Sequence, residues 1–268
     1  MSRAVQVVAV TGGKGGVGKT TLAVNTAIAL AEAGQRVAIL DADFGLANVD
    51  VMLDLPPGAT IEDVLDGRAE LRDIVRLGPA GVRVIPGASG TRRLTKLSEL
   101  EHSSLVSAFD AIADQLDILL VDTAAGIGDQ VVNFANASRE VLVVLCNDPS
   151  SFADAYALIK VLWRDFGRQR FRVVANMVAS EQEGRELVDK LDAVCQQFLP
   201  VSLLYAGTVP MDEALREAVR QQQPVLLQSP GSASAVAIRK LAETVATWPV
   251  ATRSRGQLEF FVDQLLAG

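Results

Sequence analysis

Cysteine, histidine and long apolar runs are scarce in this chain, and their scarcity excludes whole classes of protein. The two cysteines, Cys146 and Cys195, lie far apart and outside any CxxC spacing. Neither a disulfide framework nor a cysteine-rich metal or iron-sulfur site is therefore expected, and both thiols should be buried as small apolar groups. His102 is the only histidine, and we expect it on a helix surface. Histidine-dependent catalytic triads and histidine-rich zinc sites are thus excluded.

The chain also has no excess of positive charge. It carries 25 Lys and Arg against 32 Asp and Glu, for a formal net charge of -7, and this balance argues against a surface built mainly to hold nucleic acid. The N-terminal apolar run VQVVAV is too short for a secretory signal, and no later run reaches transmembrane length. We therefore expect a cytoplasmic protein for which direct DNA binding is not expected.

Short apolar runs rich in β-branched residues alternate with longer stretches of helical periodicity. Strands that are this uniformly apolar are covered on both faces, which is typical of a mainly parallel sheet with crossover helices. The pattern therefore predicts an α/β fold with a twisted parallel sheet and helices on both of its faces. The predicted strands are residues 5–10, 36–43, 82–86, 117–123, 140–146, 171–177 and 202–210.

The helices between these strands are predicted from the same periodicity. They are residues 20–33, 98–115, 153–165, 181–198 and 212–222. Because no Gly/Ser linker, charge block or internal repeat marks a boundary, we expect one domain over residues 1–251. Residues 252–268 are predicted to form a separate C-terminal amphipathic helix.

A glycine-rich stretch between the first strand and the first helix predicts a phosphate-binding loop. It satisfies the pattern G-x-x-x-x-G-K-[ST], and the strand, loop and helix order is the context that makes the match credible. Backbone N–H groups of such a loop surround phosphates at the positive end of the helix. Lys19 is expected to reach the β- and γ-phosphates, and the Thr20 hydroxyl to ligate Mg²⁺. The predicted phosphate-binding residues are Gly13, Lys14, Gly15, Gly16, Val17, Gly18, Lys19, Thr20 and Thr21.

Carboxylates follow two of the predicted strands, at the sheet edge where the phosphate loop lies. Asp122 ends the run ILLVD, where it is expected to support Mg²⁺ before a glycine-containing loop able to sense the γ-phosphate. The alternative is that Asp122 caps a helix. Asp41 and Asp43 end the second strand, with Asp41 expected nearer the metal and Asp43 placed to orient the attacking water. Alternatively, both are loop carboxylates that simply terminate a strand.

An ordinary phosphate loop does not require Lys14. Since Lys19 already occupies the best position, a lysine earlier in the loop reaches the phosphates of a neighbouring molecule more readily than its own. The stretch KGGVGKTT resembles the deviant Walker A motif of the MinD/ParA family of dimerising ATPases. The resemblance implies that Lys14 contacts the nucleotide of a facing subunit, that Mg²⁺ and ATP are the cofactors, and that ATP holds a homodimer together until hydrolysis.

Other segments are similar to the FleN/FlhG branch of that family, whose members control flagellar number. They are LDADFGLANVDVML, VDTAAGIG, DPSSFADAYALIKVL and LEFFVDQLL. This resemblance implies that Asp43 positions the attacking water and Asp122 supports the metal, in a weak Mg-dependent ATPase. It also implies a transcription activator of the FleQ type, an AAA+ ATPase, as the partner that the ATP-bound dimer restrains.

The same resemblance implies a base pocket made by Asn176 and the segment Pro210, Met211 and Asp212. An Asn amide can pair with the N6/N7 edge of adenine, whereas a guanine-selective site needs an N-K-x-D carboxylate that this chain lacks. Adenine is therefore the expected base. The alternative is that Asn176 is a plain turn residue at a strand end.

Two further interpretations of the branch stay open. Relatives that activate the GTPase FlhF use a glutamine-containing segment ahead of the phosphate loop, and only a few residues precede the first strand here, so FlhF is an uncertain partner. A positioning ATPase of the MinD or ParA type, acting on membrane or nucleoid, is the alternative function. An iron-sulfur carrier on the same scaffold needs paired cysteines that Cys146 and Cys195 do not supply.

The C-terminal segment carries one apolar stripe, formed by Leu258, Phe261, Val262 and Leu265. The resemblance implies a membrane-targeting helix and a peripheral position at the inner membrane when ATP is bound. Because its polar face carries acids rather than lysines, attraction to anionic lipid should be weak, and docking in a groove of the domain is an equal alternative. A basic stretch at Arg164, Arg168, Arg170 and Arg172 either touches phosphates or an acidic partner, or is a solvated helix end and loop.

Overall fold

A single sheet forms the centre of the molecule. The computed structural model describes residues 5–43, 48–87, 108–109 and 112–250. Its strands are β1 (Gln6–Thr11), β2 (Val37–Ala42), β3 (Arg76–Leu77), β4 (Arg83–Ile85), β5 (Ile118–Thr123), β6 (Glu140–Cys146), β7 (Arg170–Val178) and β8 (Ser202–Pro210). In the sheet they follow the order β3-β4-β2-β5-β1-β6-β7-β8. All neighbours pair in parallel except the short β3, which runs antiparallel to β4.

Helices cover both faces of this sheet. They are α1 (Lys19–Glu32), α2 (Val49–Met52), α3 (Ile61–Leu65), α4 (Leu71–Ile74), α5 (Asp129–Ala137), α6 (Pro149–Phe166), α7 (Glu181–Phe198), α8 (Glu213–Arg220), α9 (Val225–Gln228) and α10 (Ala233–Ala246). On one face α1 and α10 pack against alternate strand residues such as Val8 and Val10. On the other face α3 to α7 pack against the residues between them, such as Val7 and Ala9. The predicted α/β fold class is confirmed.

The predicted strands agree with the structure closely because each is an uninterrupted apolar run. All seven are present, and their ends differ by at most one residue. The predicted helix at 153–165 begins earlier, at Pro149, because Asp148 caps it. Most of the predicted helix at 98–115, with His102, lies outside the described residues, although residues 108–109 and 112–113 are helical. The predicted segment 252–268 also lies outside them, so the domain boundary stays a prediction.

Several elements were not anticipated from the sequence. They are β3, α2 to α5, α9 and α10. For α10 a signal was present, since Ser232 accepts the Ala235 N–H as an N-cap and buried Ile238, Leu241 and Val245 follow at helical spacing. β3 has only two residues, too few for any periodicity to show.

Candidate nucleotide-binding site

The glycine-rich loop leaves β1, the fifth strand of the sheet order, and enters α1. Gly18 is the N-cap of α1, has a positive φ of 92° and offers no side-chain cap, and the first turn carries no acidic residue. The amide groups of this helix end are therefore not satisfied by a capping side chain, and the helix dipole adds positive potential. A helix N-terminus of this kind favours an anion such as a phosphate.

Close packing explains two of the glycines. A Cβ atom on Gly13 would collide with the backbone of Asp154 in α6, and one on Gly18 would lie 2.5 Å from the Nδ2 atom of Asn176. Gly16 has open space around it and a positive φ of 79°, and a Cβ atom on Gly15 would meet only the Ala125 Cβ atom, at 3.9 Å. The loop is thus pressed against the domain at two points and open between them, which gives a ligand access to its amides.

Lys19 lies inside this loop rather than on the surface. It is 8% exposed, and its Nζ donates to the carbonyl oxygen of Lys14 at 3.3 Å. Burial lowers the pKa of Lys19, while Asp122 and Asp43 act in the opposite direction. A positive charge held in a partly dehydrated loop beside free amides is suited to bind a polyphosphate.

Asp122 lies next to this lysine with its carboxylate unsatisfied. The residue is 1% exposed, and no described residue gives either oxygen a hydrogen bond of normal geometry. Burial raises the pKa of Asp122 to about 8, although the Thr20 hydroxyl and Lys19 lower it. The N-cap alternative is wrong, because Asp122 lies within β5 and the N-cap of α5 is Gly128. A buried carboxylate without a partner beside a threonine hydroxyl fits a cation that is brought with a phosphate ligand.

Asp41 faces Asp122 across the β2–β5 pairing but is already satisfied. Its oxygens accept the backbone N–H groups of Asp43 at 3.1 Å, Asn48 at 2.9 Å and Val49 at 3.1 Å. Burial raises the pKa of Asp41 to about 6 against these hydrogen bonds. Its visible role is to hold the chain that follows β2, so the predicted contact with the metal fits Asp122 better than Asp41.

Asp43 comes directly after β2 and is half-buried. Its charge acts on both Lys19 and Asp122, which places it in the same electrostatic neighbourhood. The structure therefore brings together Lys19, Thr20, Asp41, Asp43 and Asp122. The role of Asp43 in orienting water stays a prediction.

Lys14 has a partner within its own chain. Its Nζ donates to Asp148 Oδ1 at 3.1 Å and to Ser150 Oγ, and the two side chains of the ion pair are 41% and 38% exposed. Asp148 also caps α6 through the N–H groups of Ser150 and Ser151. The Ser150 hydroxyl, the Ser151 amide and Lys14 hold the pKa of Asp148 well below its usual range. This contact was not predicted, although the D-P-S-S pattern does signal a helix start.

Asn176 joins the base side of the site to the phosphate loop. It is buried within β7, so the turn alternative is wrong. Its Nδ2 donates to the carbonyl oxygen of Val17 at 2.8 Å, and the Cys146 thiol lies 3.6 Å from the same oxygen. The Asn176 Oδ1 atom is buried and has no hydrogen-bond partner among the described residues. The Nδ2 group has a second hydrogen besides the one donated to Val17, so the predicted pairing with N6 and N7 of adenine stays a prediction.

The other predicted base-pocket residues lie next to Asn176 through the β7–β8 pairing. Pro210 ends β8, and Met211 is exposed with its N–H bonded to Val178. Asp212 is the N-cap of α8 and accepts the N–H and hydroxyl of Ser234. Burial raises the pKa of Asp212, but these hydrogen bonds outweigh it and the pKa is lowered. Its carboxylate is therefore engaged by the protein, whereas Met211 is free to cover a base.

The two cysteines are buried, and two arginines of the basic stretch are bonded to other parts of the protein. Both cysteines are buried and unpaired, as predicted. Arg168 donates to carbonyl groups at the end of α5, and Arg172 pairs with Glu140 at 3.0 Å. Arg164, near the end of α6, and Arg170 are exposed, so the solvated alternative fits these two, whereas Arg168 and Arg172 bind other parts of the protein.

Two features of the described residues bear on a metal site and on membrane insertion. No group of three His, Cys, Asp or Glu side chains is arranged there to hold a metal ion. Mg²⁺ commonly binds through one or two protein ligands together with substrate phosphates and water, and the Thr20 and Asp122 pair fits that requirement. Within the same residues, every helix is too short or too polar to span a bilayer.

Comparison with known proteins places this site in a family. Residues 8–225 match the CobQ/CobB/MinD/ParA nucleotide binding domain. The chain is 55% identical over 262 residues to the antiactivator FleN of Pseudomonas aeruginosa, covering 98% of this chain and 94% of that protein. It is 34% identical to the flagellum site-determining protein YlxH of Helicobacter pylori, covering 88% of this chain and 80% of that protein.

A solved structure supports the same assignment. The septum site-determining protein MinD of Pyrococcus horikoshii, in complex with Mg-ADP, has a TM-score of 0.71 and 27% identity, over 91% of this chain and 96% of that one. The chain belongs to the CobQ/CobB/MinD/ParA family of nucleotide-binding domains, within which it is a MinD-like ATPase.

Proposed function

We propose that this protein is an ATP-switched antiactivator that limits flagellar number by binding and restraining an AAA+ transcription activator of the FleQ type. The observation that carries the proposal is the 55% identity to FleN over 98% of the chain. A match of that length takes in the phosphate loop, the segment after Asp122 predicted to sense the γ-phosphate, and α6. The switch itself is argued from the described site.

The preference for one nucleotide is argued from the Asn176 amide in the predicted base pocket. The Nδ2 group donates one hydrogen to Val17 and keeps a second, and the Oδ1 atom has no partner among the described residues. Adenine offers an amino group at this position of its ring, whereas guanine offers a carbonyl oxygen. The amide can accept from N6 and donate to N7 of adenine, whereas a guanine-selective site needs a carboxylate for the base amines that this chain lacks, so we propose ATP rather than GTP.

The phosphate end uses the uncapped start of α1 and the charged side chains beside it. The free amides of the α1 N-terminus and the buried Lys19 bind the phosphates, and Thr20 with Asp122 would hold Mg²⁺. When bound, Mg²⁺ neutralises phosphate charge and orients the phosphoryl group. Asp43 orients the water molecule, and we expect slow turnover, so that the ATP-bound state lasts.

Lys14 connects the nucleotide to dimerisation. In the single subunit its ammonium is bound to Asp148, and the pair is about two-fifths exposed. Exposed ion pairs contribute about 0.2 to 1 kcal/mol, so releasing Lys14 costs little. A terminal phosphate from a facing subunit, buried between two proteins, is a stronger partner. We expect Lys14 to leave Asp148 and bind the neighbour's ATP in the homodimer.

A pull-down from lysates of motile cells tests the function. Tagged Asp43→Ala protein loaded with ATP should retain the AAA+ activator, because the dimer forms but hydrolyses its nucleotide much more slowly. The matched bait is Lys19→Ala, which should lose the nucleotide and the activator together. Equal recovery of the activator with both baits, or its absence from both, contradicts the proposal.

One observation favours a second function, a positioning ATPase acting on membrane or nucleoid. The Helicobacter relative is named a site-determining protein. In a positioning ATPase, the predicted C-terminal helix would supply the contact with the membrane. Liposome co-sedimentation with and without residues 253–268 separates the two functions. ATP-dependent binding that requires this segment supports positioning, whereas no sedimentation supports the antiactivator alone.

A further inference from the structure

Gln130, the second residue of α5, makes a contact outside its own helix. Its Nε2 atom donates to the carbonyl oxygen of Ala42 at 2.9 Å. Ala42 is fully buried, ends β2 and immediately precedes Asp43. A side chain from one end of the site is thus bonded to the backbone that carries the residue predicted to orient water.

The peptide unit between Ala42 and Asp43 is held from both sides. Gln130 binds its carbonyl group, and the Asp41 carboxylate accepts its N–H group at 3.1 Å. Fixing both ends of one peptide plane restricts ψ of Ala42 and φ of Asp43, the two rotations that set the direction of the Asp43 side chain. Loss of either bond lets the plane turn.

The other end of this connection touches the phosphate loop. Gln130 follows the segment 124–128, in which Gly126 has a positive φ of 102° and its N–H lies 3.3 Å from the carbonyl oxygen of Gly12. Ile127 in this segment is half exposed. A shift of the segment against the phosphate loop therefore moves the start of α5 and, through Gln130, the peptide unit before Asp43.

We propose that Gln130 is a positioning residue for Asp43, which couples the segment 124–128 to the orientation of that carboxylate. The proposal rests on the proposed ATPase and adds a residue to it. Gln130 itself need not touch the nucleotide. It acts by holding one carbonyl group in place.

Kinetics of Gln130→Ala give the first test. We expect kcat for ATP to fall roughly 10- to 100-fold, since small misplacement of a catalytic group costs that much, while KM for ATP and the ATP-held dimer persist. Gln130→Glu should be at least as slow, because its carboxylate cannot donate and repels the Ala42 carbonyl. Gln182→Ala is the matched control, since Gln182 is also the second residue of a helix but bonds to Glu186 on that helix.

A double-mutant comparison separates positioning from a general structural effect. In the Asp43→Ala background, Gln130→Ala should cause no further loss of kcat, because it acts through a carboxylate that is gone. An equal fold-loss in both backgrounds overturns the proposal, as does a rise in KM with unchanged kcat.

Hydrogen exchange of the nucleotide-free protein gives a readout that needs no ATPase. The Asp43 amide in the peptide covering 37–43 should exchange at least about 10-fold faster in Gln130→Ala than in wild type or Gln182→Ala. Unchanged exchange overturns the positioning role. If the wild type neither dimerises nor hydrolyses ATP but the exchange difference is present, the proposed function fails and the Gln130 contact stands.

Discussion

The charged side chains at the amino and carboxyl edges of the sheet differ in whether the protein provides them with a partner. At the amino edge, Arg172 and Glu140 are each 14% exposed and paired at 3.0 Å, and the Arg172 guanidinium lies 4.8 Å from the centre of the Trp248 ring. At the carboxyl edge, Asp122 is 1% exposed and no described residue satisfies its oxygens. At the amino edge the protein itself pairs the charged groups, whereas at the carboxyl edge the Asp122 carboxylate is left without a partner.

This difference separates what stabilises the fold from what binds a ligand. Buried polar groups are almost always hydrogen-bonded, so unsatisfied ones mark a site that another molecule completes. Asp122, the Asn176 Oδ1 atom and the uncapped α1 N-terminus lie at the same edge. Substitutions at the two edges should therefore have opposite signatures, with binding lost at one and stability lost at the other.

The largest expected effect is the loss of nucleotide binding in Lys19→Ala. Removing the buried ammonium from the phosphate loop should weaken ATP binding at least about 100-fold, with little loss of stability. Isothermal titration calorimetry measures the affinity, and Lys240→Ala, an exposed lysine on α10, is the control. Unchanged ATP affinity would remove the phosphate loop from the site.

Arg172→Ala should produce the reverse signature. It leaves the Glu140 carboxylate largely buried without its partner and removes the contact with Trp248, which should lower the free energy of unfolding by about 2 to 3 kcal/mol. ATP affinity should not change. Urea denaturation and calorimetry on the same preparation check both halves, and a nucleotide defect in the folded variant would break the comparison.

Asp122→Asn should stabilise the nucleotide-free protein while weakening binding of Mg-ATP. Because burial raises the pKa of Asp122 to about 8, the folded protein keeps a proton that the unfolded chain releases near pH 4. The stability that the protonated Asp122 carboxyl group contributes is therefore lost as pH rises from about 4 to about 8. At about pH 9 the substitution should add roughly 1 to 3 kcal/mol, and near pH 4 almost nothing.

Urea denaturation at the two pH values measures this gain. Asp189→Asn, an exposed carboxylate on α7, is the control. A variant that is less stable than wild type at high pH would show that Asp122 has a structural partner.

The smallest expected effect is that of Asp148→Asn. Asparagine keeps the N-cap of α6 but removes the charge that holds Lys14, so Lys14 should leave more easily. Because the pair is exposed, the ATP-dependent dimer should tighten by at most about 5-fold. Sedimentation equilibrium measures this change against Asp165→Asn, which removes another exposed ion pair. A weaker dimer would indicate that Asp148 acts in the interface itself.

The features that could be predicted from the sequence lie within short stretches of the chain, and the contacts that were missed join residues far apart in the chain. The phosphate loop and the apolar strands are contiguous patterns, so their positions could be predicted. The Lys14–Asp148 pair and the Gln130–Ala42 bond join residues 134 and 88 positions apart. Such contacts depend on strand order, which no local pattern specifies. The role of Asp41 could not be predicted for the same reason. It depends on burial and on hydrogen bonds that the position of Asp41 at the end of a strand does not reveal.

Light scattering of the Asp43→Ala protein with saturating ATP and Mg²⁺ tests the central claim most directly. The account predicts a particle of about twice the 28.4 kDa chain mass, which returns to a single chain mass when Lys14→Ala is added. A single-chain particle before that second substitution, or a dimer that persists after it, would contradict the account.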